Sequence, residues 1–143
     1  MANGTLNVPN ANFNFLVELD GITRAAFHKC SGFSSTVDVI EHAEGGTLSP
    51  LKLPGMVKFT NIVLEWGMTD IELYNWHLTA VQGNIQRKNG SIILLDRAGN
   101  PVGRWDFMQA WPSKCTYSDL NAQGNEVFFE RLEIVCQSIT RVQ

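Results

Sequence analysis

A strict alternation of apolar and polar side chains is the feature that most restricts the fold of this 143-residue chain. Residues 13–19 carry Phe, Val or Leu at every second position and run into the turn sequence Asp20-Gly21, before a second extended run at 22–28. Successive side chains of a strand point to opposite faces, so this pattern predicts a half-buried β-hairpin. Further strands are predicted at 33–40, 57–66, 91–95, 102–111, 114–117 and 126–139. Trp111-Pro112 is expected to end its strand.

One segment has the period of a helix instead. Thr69 and Glu72 are spaced as a capping box, and Gly83 provides a terminating residue. Between them, apolar side chains recur at helical spacing: Ile71, Tyr74, Leu78 and Val81. These signals predict one amphipathic helix over residues 69–82, with this stripe packed on a sheet.

The predicted fold is mainly β, a sandwich or barrel of antiparallel strands with one flanking α-helix. Residues 1–143 are expected to form a single domain with a flexible N-terminus at 1–11. Residues 41–55 contain Gly45-Gly46, Pro50 and Pro54, and are predicted to be a long loop. A loop of this length in a compact domain is usually functional or disordered.

The chain is poor in charge. Only 17% of its residues are charged, with 11 basic against 14 acidic side chains and a net charge of -3, whereas about 25% is usual. A surface with so little charge favours association with other chains. The chain has no run of Lys and Arg residues. This argues against nucleic-acid binding and against attachment to an anionic membrane. Without a predicted membrane span or signal sequence, the chain is expected to be made as a soluble cytoplasmic protein.

The residue types that carry catalysis are scattered. His28, His42 and His77 lack partners at metal-ligand spacing, and Gly45-Gly46 is not followed by the Lys-Ser/Thr of a phosphate-binding loop. Glu41 and Glu44 have no ladder of oxygen ligands around them, so a solvated acidic loop is the preferred interpretation. The cysteines at 30, 115 and 136 form no CxxC motif and are interpreted as small hydrophobic residues. We therefore predict no catalytic, cofactor-binding or metal-binding residues, and no enzyme.

The order of these segments along the chain resembles the tail-tube (inner tube) protein family of contractile phage tails and phage-tail-like contractile injection systems. The matching segments extend over residues 12–142, and the match depends on their order and spacing. They include Phe15 to Gly21, Cys30-Ser31-Gly32-Phe33, Lys52-Leu53-Pro54-Gly55, Trp66-Gly67, Asn89-Gly90-Ser91, Gly99-Asn100-Pro101, Ala110-Trp111-Pro112 and Asp119-Leu120-Asn121-Ala122.

This resemblance implies a structural subunit. Six copies would form a ring with a continuous inner β-barrel, and rings would stack into a hollow tube that sheath contraction drives through a target envelope. The implied partners are the contractile sheath, baseplate or spike adaptor and cap proteins, with a tape-measure protein or cargo in the lumen. The isolated subunit would not insert into a membrane, and the tube would reside in a phage tail or an injection particle, released or anchored.

In this interpretation the segment 41–55 makes the contacts with neighbouring subunits and with the next ring. The residues assigned to these contacts are Glu41, His42, Glu44, Gly45, Gly46, Leu48 and Leu53. Arg104, Asp106, Arg131 and Glu133 are plausible members of polar strand faces, without an assignment to the lumen.

Two alternatives remain from the sequence. One is the hexameric secreted tube protein of type VI secretion, which shares the implied fold. The other is a small ligand-binding β-barrel that would use Trp66, Trp76, Trp105 and Trp111 as a binding platform, although core positions are the preferred interpretation of these tryptophans.

Overall fold

The chain forms one antiparallel sheet, a helix and a separate two-stranded ribbon. The computed structural model describes residues 14–20, 22–24, 27–46, 48–67, 71–124 and 128–143, with the backbone alone for 22–24. In these ranges the elements are β1 (Asn14–Leu19), β2 (Ile22–Arg24), β3 (Phe27–Ser31), β4 (Ser35–His42), β5 (Leu51–Phe59), β6 (Ile62–Gly67), α1 (Glu72–Val81), β7 (Lys88–Leu95), β8 (Pro101–Tyr117), β9 (Phe129–Val135) and β10 (Ser138–Arg141). The mainly antiparallel β fold with one helix is confirmed.

The long strand β8 divides the sheet into two halves. Among the described residues the strand order is β2-β1-β7-β8-β9-β6-β3, and β10 also pairs with β8. The first half-sheet comprises β2, β1, β7, β10 and residues 101–110 of β8; the second comprises residues 111–117 of β8 with β9, β6 and β3. Gln109 lies next to this division with a φ of 54°. Its N–H donates to the Asn89 side-chain oxygen at 2.9 Å, which holds the strand where it changes partners.

The inner faces of the two half-sheets share one hydrophobic core. Phe107 comes from the first half-sheet, and Ile62, Leu64 and Leu132 come from the second; all four are fully buried. Gly90 makes room for the Phe107 ring, because a Cβ at this position would lie 2.5 Å from its edge. Burial of this many large side chains is the main source of stability for the subunit.

The predicted β1–β2 hairpin is confirmed by the pairing of Val17 with Arg24. The expectation that Trp111-Pro112 ends a strand is wrong, since β8 continues to Tyr117. Pro112 is fully buried, and a register shift beside it accommodates a residue without an N–H. The predicted single strand at 126–139 is divided into β9 and β10, which pair with different halves of β8. Its residues 126 and 127 lie outside the described part of the chain.

The helix is present but presents a different face to the sheet from the one predicted. Leu73 and Trp76 are buried against β8, and the Trp76 indole N–H donates to the Gln86 carbonyl at 2.8 Å. Ile71 and Val81 of the predicted stripe are 60% and 65% exposed. The predicted packing stripe is therefore wrong. The side of the helix that packs on the sheet carries Leu73 and Trp76, which are three residues apart. Thr69 and Asp70 of the predicted capping box lie outside the described residues.

The prediction of a continuous loop over 41–55 is wrong at both ends. Glu41 and His42 belong to β4, residues 51–55 belong to β5, and the connection spans 43–50. Cross-strand pairs such as Glu41 with Lys52 and His42 with Leu51 extend the ladder further than the glycines and prolines suggest. Pro54 is compatible with this ladder because it lies in an edge strand next to a bulge.

Candidate assembly surfaces

The strands β4 and β5 form a ribbon that stands apart from the main sheet. Within the described residues they pair only with each other. At the base, the Thr60 N–H donates to the Ser34 carbonyl and the Ser34 N–H donates to the Thr60 hydroxyl, both at 3.0 Å. Phe33 and Phe59 pack against the core at the same end. The ribbon is thus held at its base, while the rest projects from the subunit.

Exposed apolar side chains cover both faces of this ribbon. One face, which we call the valine face, carries Val37, Val39 and Val57, which are 50%, 64% and 57% exposed. Ile40 and Leu53 pair on the opposite face and are also exposed. An isolated two-stranded hairpin is marginally stable in water at best, and a contiguous exposed apolar surface usually marks an interface. The ribbon therefore has the composition of a surface that another molecule covers.

A bulge shapes the middle of the ribbon. The register shifts between Val37 and Val39, where β5 contains an extra residue. Gly55 fits this bend because a Cβ there would lie 3.1 Å from the Asp38 carbonyl oxygen and from the Ile40 side chain. Asp38 and Lys58 form a 3.0 Å ion pair on the face opposite the valines. The bulge adds twist. The valine face is apolar from Val37 to Val39 and continues into the cross-strand pair of Glu41 with Lys52.

The distal half of the ribbon holds all seven residues assigned to subunit contacts. Glu41, His42 and Leu53 lie in its strands, and Glu44, Gly45, Gly46 and Leu48 lie in the connection. His42 Nε2 is 3.7 Å from a Glu44 carboxylate oxygen. Gly46 has a φ of 92°, a conformation that favours glycine and allows the connection to turn. The side chain of Leu48 is fully exposed. The structure thus brings these residues together in the part of the ribbon farthest from its base.

The outer face of the first half-sheet, opposite the core, carries a small polar network. The Ser91 hydroxyl donates to an Asp106 carboxylate oxygen at 2.7 Å, and the Arg104 Nε–H donates to the same oxygen at 3.0 Å. The hydrogen bond from Ser91, and after it the one from Arg104, hold the pKa of Asp106 below its usual range. Arg104 compensates the Asp106 carboxylate, and Glu18, which is opposite Ser91 in the ladder, places a second carboxylate on the same face.

The outer face of the second half-sheet carries a different charge cluster. The buried Glu65 carboxylate lies 3.4 Å from Arg131, 3.6 Å from Lys29 and 3.8 Å from His28. A carboxylate is stable at such a site because basic groups surround it. The predicted polar residues are consequently divided: Arg104 and Asp106 lie on one outer face of the molecule, and Arg131 lies on the other with Glu133, which accepts a hydrogen bond from Asn61.

The chemical groups of the described residues show no arrangement typical of catalysis. No group of three or more His, Cys, Asp or Glu side chains there could hold a metal ion. Burial raises the pKa of the Cys30 thiol to about 12, and it also raises the pKa of Cys115 and Cys136. These thiols are weak nucleophiles at neutral pH, as expected for small hydrophobic residues. No helix in this part of the chain has the length and apolar character needed to cross a membrane.

Sequence reasoning places Val37 and Val39 on one face of the predicted strand at 33–40, but it misses the pairing of that strand with β5, which completes the valine face. The signal was present in β5, where Leu51, Leu53, Met56 and Val57 place apolar side chains on both faces of one strand. A strand that is apolar on both faces is usually interpreted as fully buried. Here the prolines and glycines of residues 41–55 led instead to the prediction of a loop where β5 begins.

The fold and these surfaces define a class: a charge-poor β subunit with a projecting apolar ribbon, built for assembly with other chains. The family follows from the sequence itself. The model of the T4-like virus tail tube protein gp19 family matches residues 11–140, and the chain belongs to this family. The family is one of structural tube proteins, and the predicted resemblance is confirmed.

Solved structures agree with this assignment. A chain in the cryo-EM structure of the anti-feeding prophage (AFP) baseplate, 6-fold symmetrised, is 28% identical, with a TM-score of 0.81 over 96% of this chain and 97% of that chain. A chain in the PVC sheath-tube complex of an extracellular contractile injection system, in the extended state, is 23% identical, with a TM-score of 0.84 over 96% of this chain and 93% of that chain. No curated protein sequence matches the chain.

The two alternatives are weaker. Hcp1 from Flavobacterium johnsoniae is 16% identical, with a TM-score of 0.56 over 90% of this chain and 94% of that chain, so it shares the fold at a greater distance. A ligand-binding barrel would need accessible tryptophans, whereas Trp66 and Trp76 are buried in the core. Trp105 and Trp111 are half-buried, and Trp105 packs edge-on against Phe33 at 5.0 Å.

Proposed function

We propose that six copies of this chain close into a ring and that rings stack into the inner tube of a contractile injection particle or phage tail. The observation that carries this proposal is the projecting apolar ribbon in a chain of the tail-tube family. A ring has two different faces, so a contact that projects from one face and fits the other can repeat along a tube.

Two free strand edges support ring closure. In the described residues, β2 pairs only with β1 and β10 pairs only with β8, so the first half-sheet is open at both ends. Pairing β10 of one copy with β2 of the next would give a continuous barrel and would satisfy the backbone groups at both edges. In this arrangement the outer face with the Ser91–Arg104–Asp106 network lines the lumen. With Arg104 paired to Asp106 and Glu18 beside them, this face carries no excess of positive charge, so a polyanionic cargo would slide without strong attachment.

The proposed partners follow from membership of the tail-tube family. The tube lies within a contractile sheath and ends at a baseplate or spike adaptor and at a cap, with a tape-measure protein or cargo in the lumen. The subunit is made in the cytoplasm and then resides in the particle, while sheath shortening drives the tube through a target envelope. The similarity to chains of a baseplate and of a sheath-tube complex supports this setting.

Charge on the ribbon tests the stacking role. The Val39→Asp variant adds a carboxylate to the valine face, and Val39 is 64% exposed, so we expect the subunit to remain folded. Burying that charge between rings would be strongly unfavourable. Negative-stain microscopy should show long tubes for the wild type and single rings for V39D.

The matched control is Leu120→Asp, which adds the same charge at a position that is 86% exposed and lies outside the ribbon. It should form tubes of normal length. Tubes of normal length from V39D would contradict the ribbon assignment, and monodisperse wild-type monomers at every concentration would contradict the proposed function itself.

A further inference from the structure

The helix α1 carries apolar side chains on two sides, and among the described residues one side is buried while the other is largely exposed. Leu73 and Trp76 are buried against β8. On the other side Ile71 and Val81 are 60% and 65% exposed, and Ile85, just beyond the helix, is 46% exposed. Together with the half-buried Tyr74 and Leu78, they form a continuous surface that we call the helix stripe. An apolar surface of this kind on an assembling subunit is expected to be covered.

A head-to-tail contact between identical copies needs two different surfaces that fit each other. The valine face and the helix stripe are two such surfaces. We propose that the valine face of one copy packs on the helix stripe of a copy in the next ring. This inference rests on the proposed function, and it identifies where the ribbon binds.

The helix stripe is longer than the valine face, since Val37 and Val39 lie about 7 Å apart along β4 and Val57 pairs directly with Val37. The ten residues of α1 extend over about 15 Å, and the chain continues beyond them to Ile85. The β-branched side chains of the valine face form a flat, rigid surface, and the helix stripe offers Ile, Leu and Val side chains to pack on it.

The charges around the two surfaces are opposite. Residues 35–59 of the ribbon contain three carboxylates and two lysines, a formal charge of -1. Residues 71–88 contain Glu72 against Arg87 and Lys88, a formal charge of +1. Within the ribbon, the Asp38–Lys58 ion pair lies on the face away from the valines, and on the valine side Glu41 is opposite Lys52, so their charges compensate. Packing the valine face on the helix stripe therefore brings no excess of like charge together.

Cross-linking between two single-cysteine additions tests the contact. Val57→Cys lies on the valine face and Val81→Cys on the helix stripe, and both positions are more than half exposed, so the fold should be kept. An equal mixture of the two variants is assembled into tubes and treated with a short bismaleimide. The three native thiols should react slowly because burial raises their pKa. Wild-type tubes treated in the same way measure that background.

We expect a covalent dimer joining residues 57 and 81, identified by mass spectrometry, at a yield several-fold above background. A mixture of Val57→Cys with Leu120→Cys is the matched control and should give none, because Leu120 is exposed elsewhere on the subunit. Equal dimer yields from the two mixtures would overturn the inference, and so would tubes without any dimer joining 57 and 81.

A charge variant separates this inference from the proposed function. Val81→Asp should form rings that do not stack, as expected for V39D. Wild-type tubes from V81D, with V39D still unstacked, would show that the ribbon binds a different surface and would leave the tube function intact. Loss of rings in V81D would place the helix contact within the ring and would also contradict the inference.

Discussion

Asp106 illustrates how a single side chain on an outer face is kept ionised. It accepts hydrogen bonds from Ser91 and Arg104, and its pKa is lowered mainly by the first of these. Because the pKa is lower in the folded than in the unfolded chain, the ionised form stabilises the fold. This contribution is fully present above the unfolded pKa, which is about 3.9 for an aspartate. It is lost as the pH falls through the lower folded value.

The Asp106→Asn variant should therefore be less stable than the wild type by a constant amount between pH 7 and about pH 5. The difference should shrink at lower pH, because the wild-type carboxylate then becomes protonated. Urea unfolding midpoints at a series of pH values measure this effect. Asp119→Asn removes the same charge in the exposed connection after β8 and serves as the control. A difference between wild type and D106N that stays constant down to pH 2 would show that Asp106 acts through shape rather than charge.

At the scale of elements, local patterns predicted most strands and the helix correctly. The alternation in β1 and the change to helical spacing after Gly67 are properties of a few neighbouring residues. The predicted capping box is not among the confirmed signals, because the N-cap of α1 is Ile71 without a side-chain hydrogen bond. The face that α1 presents to β8 could not be predicted in this way, because it depends on tertiary packing. Two apolar sides compete on this helix, and Trp76 is buried although the regular stripe lies on the opposite side.

The ribbon differs from the predicted loop at 41–55 for a related reason. Glycine and proline are strong signals for loops, but they cannot reveal a bulge at Gly55 or an edge strand that tolerates Pro54. The seven residues assigned to contacts were nevertheless placed in one region of the structure, since they are close in sequence. What the sequence could not provide was the pairing of Val57 with Val37, which completes the valine face and depends on the register between β4 and β5.

The strand β10 provides a prediction about ring closure. No strand in the described part of the chain pairs with its outer edge, so its outward amides should exchange with solvent in the dissociated subunit. Pairing with β2 of a neighbour should protect them. Hydrogen–deuterium exchange of residues 138–141 should therefore be slower in V39D rings than in dissociated subunits, and nearly the same in rings and tubes. Protection that appears only in stacked tubes would assign β10 to the contact between rings instead.

At the scale of the whole molecule, the low charge of the chain has a consequence for stacking. Six copies at -3 each give a proposed ring a formal charge of -18. Adjacent rings would repel each other at long range, whereas the contact we propose between ribbon and helix is mainly apolar. The attraction near that contact comes from one net charge of each sign per subunit pair, whereas each whole ring carries -18, so repulsion between rings dominates the long-range electrostatics.

Salt should therefore lengthen the tubes. At 0.01 M salt charges act over about 30 Å, whereas at 0.15 M they act over about 8 Å. Screening should remove the repulsion between rings and leave the apolar contact in place. We expect the median tube length in electron micrographs to increase over this range for the wild type, while V39D stays unstacked throughout. Tubes that shorten as salt is added would show instead that opposite charges between rings, rather than the apolar ribbon, provide most of the stacking free energy.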